Sequence, residues 1–449
     1  MNIVFITHRF FPESSGGSQV YTRNIARALG RLGHSVSILY APVWDMPQRQ
    51  KPYQVTVEDA IYEDFPVRKL RFDWRSAPDP HGYIYYHNPV IHQHIVEFLS
   101  EQSADIVHIT ACLNVTSAAI TAPRSLGIPV VLTFTQYWMI CPRSTLMGEK
   151  GLCAGRQDGW TCLHCLYGST RTYRVLSHMP LALRSTIICT AKRFPRSFSW
   201  NSSLNLISAV ERRNKGLSRI LAEVGQLIAP SRFIADIIAS TGIVEPERIL
   251  YSPHGHDVAG ASLGSEKSPS PVLRFGFTGN LLPIKGVHHL IQAFNRLGSD
   301  VRAALLIYGS SSNSEYMRYL RELAGSNPFI EFRGRFDNAD IGKVLQNIDV
   351  VVVPSVCFEN APVTIAEAYA ARTPVIATNH GGMAEAVQHR ITGFLFRPND
   401  IDDLSRQMRV CLEHPELLAE MRSRIPPVRT VDDEAEALER LYSRLILPR

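Results

Sequence analysis

Two acidic residues eight positions apart give this sequence its clearest chemical mark. They are Glu359 and Glu367, in the stretch Pro354-Ser355-Val356-Cys357-Phe358-Glu359-Asn360-Ala361-Pro362-Val363-Thr364-Ile365-Ala366-Glu367-Ala368. The valine run before Pro354 reads as a strand, Pro362 or Val363 opens a helix, and Glu367 falls one turn inside it. A loop running from the carboxyl end of a strand into a helix offers backbone N–H donors and the positive end of a helix dipole to an anion. Carboxylates beside such an anion are unfavourable unless they face hydroxyl groups, which they accept strongly. The pattern points to a ligand that joins phosphate to a sugar and a ribose; taken without its context, the same stretch is an ordinary solvated helix start.

Other residues could also carry chemistry. Cys141, Cys153, Cys162 and Cys165 crowd one segment, with His164 inside the last pair. Cys-x2-Cys with two further thiolates matches a tetrahedral structural zinc site; an iron–sulfur cluster and a set of reduced or paired thiols are the alternatives. His8 follows the first strand and His108 lies near the end of another, where a histidine serves a cleft or a structural hydrogen bond.

These side chains need a scaffold, and the hydrophobic pattern describes one. Asn2–Thr7 is a short β-branched run without alternation, as expected of a strand buried on both faces. A Gly16-Gly17 loop follows, then apolar residues at helical spacing up to Leu32, Gly33 as a helix stop, and a second strand over Val36–Tyr40. Strands at Ile106–Ile109, Val130–Phe134, Leu227–Ala229 and Ile249–Ser252 continue the alternation. After a Gly-, Ser- and Pro-rich stretch the pattern restarts at Leu273–Thr278 and runs through Ala304–Tyr308, Ile330–Arg333, Val350–Val353 and Val375–Ala377. The expected class is α/β, with two Rossmann-like doubly wound domains. The boundaries expected are 1–255, a linker over 256–271, 272–425, and a terminal helix in 426–449 after Pro426-Pro427 that packs back on the first domain.

Composition agrees with a globular protein. The 449 residues are 45% apolar and 20% charged, which argues against disorder, collagen and coiled coil. No run reaches the length of a membrane-spanning helix, and the amino terminus lacks a basic flank, so the cytoplasm is the expected compartment. The net charge of +6 is concentrated. Between Asp158 and Glu211 there is no acidic residue, while Arg171, Arg174, Arg184, Lys192, Arg193 and Arg196 supply six positive charges among aromatic and aliphatic neighbours. Such a segment suits an element lying on an anionic membrane surface, or a buried helix with a solvated face. Nucleic acid is disfavoured, because no recognised binding module accompanies the charge.

Taken jointly, the Glu-x7-Glu stretch, Gly381-Gly382-Met383-Ala384-Glu385, Thr392-Gly393-Phe394 and Arg372-Thr373-Pro374-Val375-Ile376-Ala377 resemble the retaining glycosyltransferases of family 4. Phe277-Thr278-Gly279-Asn280 with Lys285-Gly286 is similar to that family's diphosphate loop, and Gly16-Gly17 to its amino-terminal counterpart. The resemblance implies a GT-B fold, its two domains facing a central cleft that takes a nucleotide diphosphate sugar, a UDP- or GDP-sugar. It further implies that Glu367 binds the ribose, that Glu359 with Asn360, Ala361, Pro362 and Val363 binds the donor sugar, and that Lys285 with Asn280 meets the diphosphate. Gly16 and Gly17 would let the backbone approach the phosphate or the anomeric centre. Catalysis would centre on Glu359 and Lys285 and need no divalent metal, so zinc, if held, is structural. The acceptor, a saccharide or lipid-linked saccharide, would meet His8, His108, Thr135 and Gln136, at the inner face of the plasma membrane if the basic segment binds there. Two positions depart from the family. Asn280 stands where Arg is usual, leaving Arg9 as another source of that cation, and Thr135 stands where an active-site His is usual. Transfer, non-catalytic binding of a sugar nucleotide and sugar-nucleotide epimerisation are the functions to separate.

Overall fold

The computed structural model describes residues 1–14, 16–42, 55–72, 86–148, 151–153, 155, 159–167, 201–262, 265–298 and 301–447. The basic segment from Arg171 to Trp200 lies outside the described residues. Two units are present. The first comprises Met1–Pro230, Ala235–Ser252 and Ala435–Arg449; the second comprises Ser231–Ile234 and Pro253–Glu434.

In the first unit the strands are β1 (Asn2–Thr7), β2 (Ser35–Tyr40), β3 (Thr56–Tyr62), β4 (Phe65–Arg71), β5 (Ile106–Ile109), β6 (Val130–Thr133), a small hairpin of β7 (Met147–Gly148) and β8 (Gly151–Leu152), β9 (Gln226–Ala229) and β10 (Ile249–Tyr251). The main sheet has the order β10-β9-β6-β5-β1-β2-β4-β3 among the described residues. Its pairings are parallel except β3 with β4. Ile3, Val4, Phe5 and Ile6 of the central β1 are all fully buried, as a strand covered on both faces requires. The helix Gly17–Arg31 turns Ile25, Ala28 and Leu29 inward, and Gly33, at φ 87°, ends it.

The β3–β4 hairpin was not among the expected strands. Its two-residue turn is Glu63-Asp64, both at positive φ, instead of the Asn-Gly or Asp-Gly pair that flags such turns. β3 is also exposed from Thr56 to Ile61, so it carries no burial pattern to detect. The hairpin matters to the glycine loop. Lys69 of β4, almost completely buried, forms an ion pair with Glu13, and Arg71 reaches the same carboxylate at 3.5 Å. These cations anchor the segment that leads into Gly16.

The second unit contains β11 (Leu273–Thr278), β12 (Ala303–Tyr308), β13 (Ile330–Gly334), β14 (Val350–Val353), β15 (Val375–Thr378) and β16 (Gly393–Phe396), ordered β13-β12-β11-β14-β15-β16 and all parallel. Alternation sorts its core. Val350 and Val352 join one apolar cluster with Phe275 and Ile291, while Val351 and Val353 join another with Ile365 and Met383.

The stretch 256–271 does not behave as the expected linker. His256 pairs with Thr430 in a parallel bridge, Ala259–Ser262 forms a helical turn with Ala261 fully buried, and Lys267 Nζ donates to Leu345 O at 2.8 Å and Thr373 Oγ1 at 2.6 Å. Gly, Ser and Pro describe its irregular backbone, but the occasional Ala and Lys side chains fix it to the second unit. The last helix, Val431–Ile446, is grouped from Ala435 onward with the first unit, where Tyr442 is fully buried. No helix among the described residues is long and apolar enough to cross a membrane.

Candidate functional site

In the second unit the strand order reverses at β11. The chain steps to β12 on one side and later returns to β14 on the other, opening a crevice beyond the carboxyl ends of these two neighbours, where open α/β sheets bind ligands. The residues of greatest chemical interest emerge there. After β11 come Asn280 and Lys285, then the helix Val287–Asn295; after β14 come Ser355 and Glu359, then the helix Val363–Ala370.

Backbone contacts fix the two loops to each other. Val356 N–H donates to Ile284 O at 2.8 Å. Gly286 has φ 70°, and a Cβ on it would lie 1.9 Å from Pro354 O, so only glycine permits this approach. Lys285 is thereby delivered to Glu359: its Nζ donates to Glu359 Oε1 at 2.5 Å, and Ser355 Oγ donates to the same oxygen at 2.9 Å. Burial alone would lift the Glu359 carboxyl, but Lys285 and Ser355 outweigh it and hold the group below its ordinary value. Burial likewise opposes the charge on Lys285, and Glu359 more than restores it. The result is an ionised pair at a strand-end crevice.

Glu367 differs from Glu359. It is 8% exposed, and no side chain among the described residues donates to its carboxylate. Burial therefore pushes the carboxyl up to about 7. A buried acceptor of this kind is stabilised by a ligand that brings hydroxyl donors. The helix Val363–Ala370 that carries it has Pro362 at its N-cap with no side-chain cap, leaving first-turn N–H groups for an anion or a sugar oxygen. Asn360, Ala361, Pro362 and Val363 are partly exposed along this entrance, and Asn280 is exposed on the β11 loop.

The first unit has its own strand-end crevice, between β1 and β5. Gly16 caps the helix Gly17–Arg31; a Cβ on Gly16 would meet only the flexible Gln19 Oε1, at 2.6 Å, and one on Gly17 would meet nothing within 4 Å. No described protein atom thus requires glycine at position 17. Ser18 Oγ donates to Thr135 Oγ1 at 2.9 Å, and Thr135 Oγ1 donates to Thr110 O at 2.5 Å. His8 Nε2 is 3.3 Å from Gln19 Nε2, and burial, reinforced by Arg9, lowers the imidazole to about 4. Buried polar atoms without a hydrogen-bond partner gather near these strand ends: Thr7 Oγ1, His8 Nδ1 and Gln136 Nε2. Such groups are ordinarily satisfied by water or by a polar ligand.

Two expectations are corrected. His108 does not face a ligand: it is fully buried, with Nδ1 2.5 Å from Tyr442 OH and Nε2 2.8 Å from Thr133 Oγ1, so both ring nitrogens are committed to the fold. The cysteines as placed do not fit a zinc ion. Cys153 Sγ is turned to Gly155 O at 3.0 Å and Cys165 Sγ to Met147 O at 3.6 Å, and among the described residues no three His, Cys, Asp or Glu side chains are gathered to hold a metal. The sequence reading also passed over Ser355, Ser18 and His380. Ser355 lies inside the Glu-x7-Glu stretch and Ser18 directly follows the Gly16-Gly17 loop, but a lone serine gives no sign of which carboxylate or hydroxyl it will meet.

Comparison with known proteins places this architecture. Residues 16–255, more than half of the chain, match the model of the glycosyl transferase 4-like domain. The chain belongs to the glycosyl transferase 4-like family. Residues 264–426 match the model of the group 1 glycosyl transferases, which covers the Lys285, Glu359 and Glu367 loops. An uncharacterised glycosyltransferase of Methanocaldococcus jannaschii is 31% identical over 144 residues, 32% of this chain and 36% of that protein. The 2-deoxystreptamine glucosyltransferase of Streptomyces kanamyceticus is 27% identical over 228 residues, 49% of this chain and 58% of that protein. This family member thus spans well under two thirds of either curated relative. In fold it is similar to the crystal structure of Anabaena HepE in complex with UDP, at 17% identity and a TM-score of 0.63, covering 99% of this chain and 100% of that one. That likeness is a GT-B fold.

Proposed function

We propose that this family member is a retaining hexosyltransferase that moves a sugar from a nucleotide diphosphate sugar to a saccharide or lipid-linked saccharide acceptor. One observation carries the reading: the Lys285–Glu359 pair stands at the carboxyl ends of β11 and β14, and the helix that follows the Glu359 loop carries Glu367, a buried carboxylate with no described protein donor. The fold likeness to a UDP-bound protein and the family membership support a nucleotide-sugar donor. In this reading Lys285 and the helix starting at Val287 meet the diphosphate, Glu367 accepts from the ribose hydroxyls, and Glu359 with the N–H groups from Asn360 to Val363 holds the sugar.

The chemistry is positioning and charge stabilisation. The bond between the anomeric carbon and the phosphate oxygen breaks, the acceptor oxygen forms its bond on the same face, and its proton passes to the departing phosphate. Glu359 and Glu367 lie on one loop and the helix that follows it, so they do not flank a bond from opposite faces, and covalent attack by Glu359 is not invoked. A second reading, non-catalytic binding of a sugar nucleotide, is favoured by Thr135, whose hydroxyl proton is spent on Thr110 O.

A thermal-shift panel of UDP-, GDP- and ADP-glucose identifies the donor, and hydrolysis and transfer assays with it separate the two readings. Donor binding without turnover supports the second; no binding to any nucleotide sugar sinks both. Membrane attachment through the basic segment is part of the proposal for a lipid-linked acceptor. Removing Arg193 and Arg196 together should weaken flotation with anionic liposomes about 30-fold, at about 1 kcal/mol for each charge. Flotation that does not change counts against a surface role for the segment.

A further inference from the structure

The loop after β15 grips the turn that carries Glu359. At the far end of the turn, Gly382 N–H donates to Glu359 O at 2.7 Å, and a Cβ on Gly382 would lie 1.9 Å from Asn360 O. At the near end the grip is a side chain. His380 Nε2 lies 3.0 Å from Ser355 O, and because a carbonyl only accepts, the ring carries its proton at Nε2. Ser355 passes the constraint on, since its Oγ donates to Glu359 Oε1 at 2.9 Å.

The ring is held in this state. His380 is 9% exposed, its ring packs on Phe358 with centroids 5.2 Å apart, and Nδ1 is buried with no hydrogen-bond partner. A second proton at Nδ1 would have no acceptor there, and burial lowers the imidazole below its ordinary value. Lys285 already supplies the positive charge that Glu359 needs.

We propose that His380 is a positioning residue of the donor site: neutral and protonated at Nε2, it fixes the Ser355 carbonyl and so the turn that presents the Glu359 carboxylate to the hydroxyls of a bound sugar. This rests on the donor reading given above. Its consequences fall on the sugar and spare the nucleotide, because neither Lys285 nor Glu367 hydrogen-bonds to His380. Without the clamp the Ser355 peptide is free to rotate, and Ser355 Oγ leaves the carboxylate.

Two amides separate the ring nitrogens. His380→Gln keeps an N–H near the place of Nε2, whereas His380→Asn keeps a polar group near Nδ1 and is too short to reach Ser355. Affinities of the full chain are measured for UDP-, GDP- and ADP-glucose and for the three free nucleotides. His380→Asn should weaken the preferred nucleotide sugar about five- to ten-fold and leave its free nucleotide within about two-fold; His380→Gln should stay within about two-fold on both. In a Glu359→Gln background, adding His380→Asn should cost nothing further. The inference is overturned if His380→Asn binds the nucleotide sugar like the wild type, if His380→Gln is as weak as His380→Asn, or if sugar and free nucleotide lose equally. His380→Phe supplies the same comparison if the Asn variant does not fold. A wild-type chain that binds no nucleotide sugar more tightly than its free nucleotide overturns the donor reading itself, and this inference with it.

Discussion

Glu359 and Glu367 share a residue type and a helix entrance, yet their surroundings drive them apart. Glu367 is pushed up to about 7 by burial, so between its ordinary 4.5 and 7 the folded chain keeps a proton that the unfolded chain has lost, and stability falls as pH rises through that window. Ribose hydroxyls are accepted best by the ionised form. Binding of the preferred nucleotide sugar should therefore strengthen about ten-fold from pH 6 to pH 8, and Glu367→Gln should flatten the profile. Calorimetry with the nucleotide sugar is the right measurement, since its phosphates lack the monoester ionisation near 6 that a free nucleotide would add. A slope that survives the substitution removes Glu367 from the ribose. Glu359 calls for the opposite test. Its carboxylate engages Lys285 Nζ at 2.5 Å and competes with a diphosphate for that charge, so Glu359→Gln should bind the free nucleotide a few-fold more tightly while losing the preference for nucleotide sugar over nucleotide. Weaker binding of both would show that the pair acts through the fold alone. The two glutamates were legible in the sequence; their inequality was not, because it comes from which neighbours donate to each.

At the level of elements, the strands that position these groups were readable because each is a short, continuous apolar run, and Gly33 marked a helix end by its type. The β3–β4 hairpin escaped because Glu63-Asp64 makes its turn without glycine and β3 buries almost nothing. The closing of loop on loop at Gly286 and Gly382 escaped for a different reason: a glycine in sequence does not say which carbonyl it will touch. The two kinds of glycine predict different failures. Gly382→Ala drives a Cβ to 1.9 Å from Asn360 O, and denaturant unfolding should find it about 1–3 kcal/mol less stable, with nucleotide-sugar binding lost as well. Gly17→Ala meets no atom within 4 Å and sits at the first position of a helix, so stability should stay within about 0.5 kcal/mol of wild type. Turnover should nevertheless fall, because the added methyl fills the space that a ligand is expected to use. If Gly17→Ala keeps full turnover, the amino-terminal loop does not approach the reacting centre.

At the level of the whole chain, sequence order and structural membership part company at the carboxyl terminus. Apart from the short Ser231–Ile234 segment, the chain leaves the first unit after Ser252, builds the second, and returns at Ala435 to complete the first. A terminal helix packing back on the first domain is the expectation from sequence, but periodicity does not name the residues that receive its apolar face. Two contacts do. Glu439 lies 3.1 Å from His34, and Tyr442 OH lies 2.5 Å from His108 Nδ1 across a fully buried interface. His108, whose place beside a strand end left a cleft role and a structural hydrogen bond open, takes the structural one: it is the socket for the last helix, and its second nitrogen is bonded to Thr133 Oγ1. Tyr442→Phe removes one hydroxyl, keeps the ring, and leaves a buried imidazole nitrogen without its partner, at a cost of about 1–2 kcal/mol. Denaturant unfolding should register that loss, while affinity for the free nucleotide should stay at the wild-type value, because Lys285 and Glu367 belong to the second unit and Tyr442 to the first. Unchanged stability would mean that the hydroxyl is replaced by water or that the pairing is energetically idle; a fall in nucleotide affinity would mean that the last helix governs the donor site as well as the unit it completes.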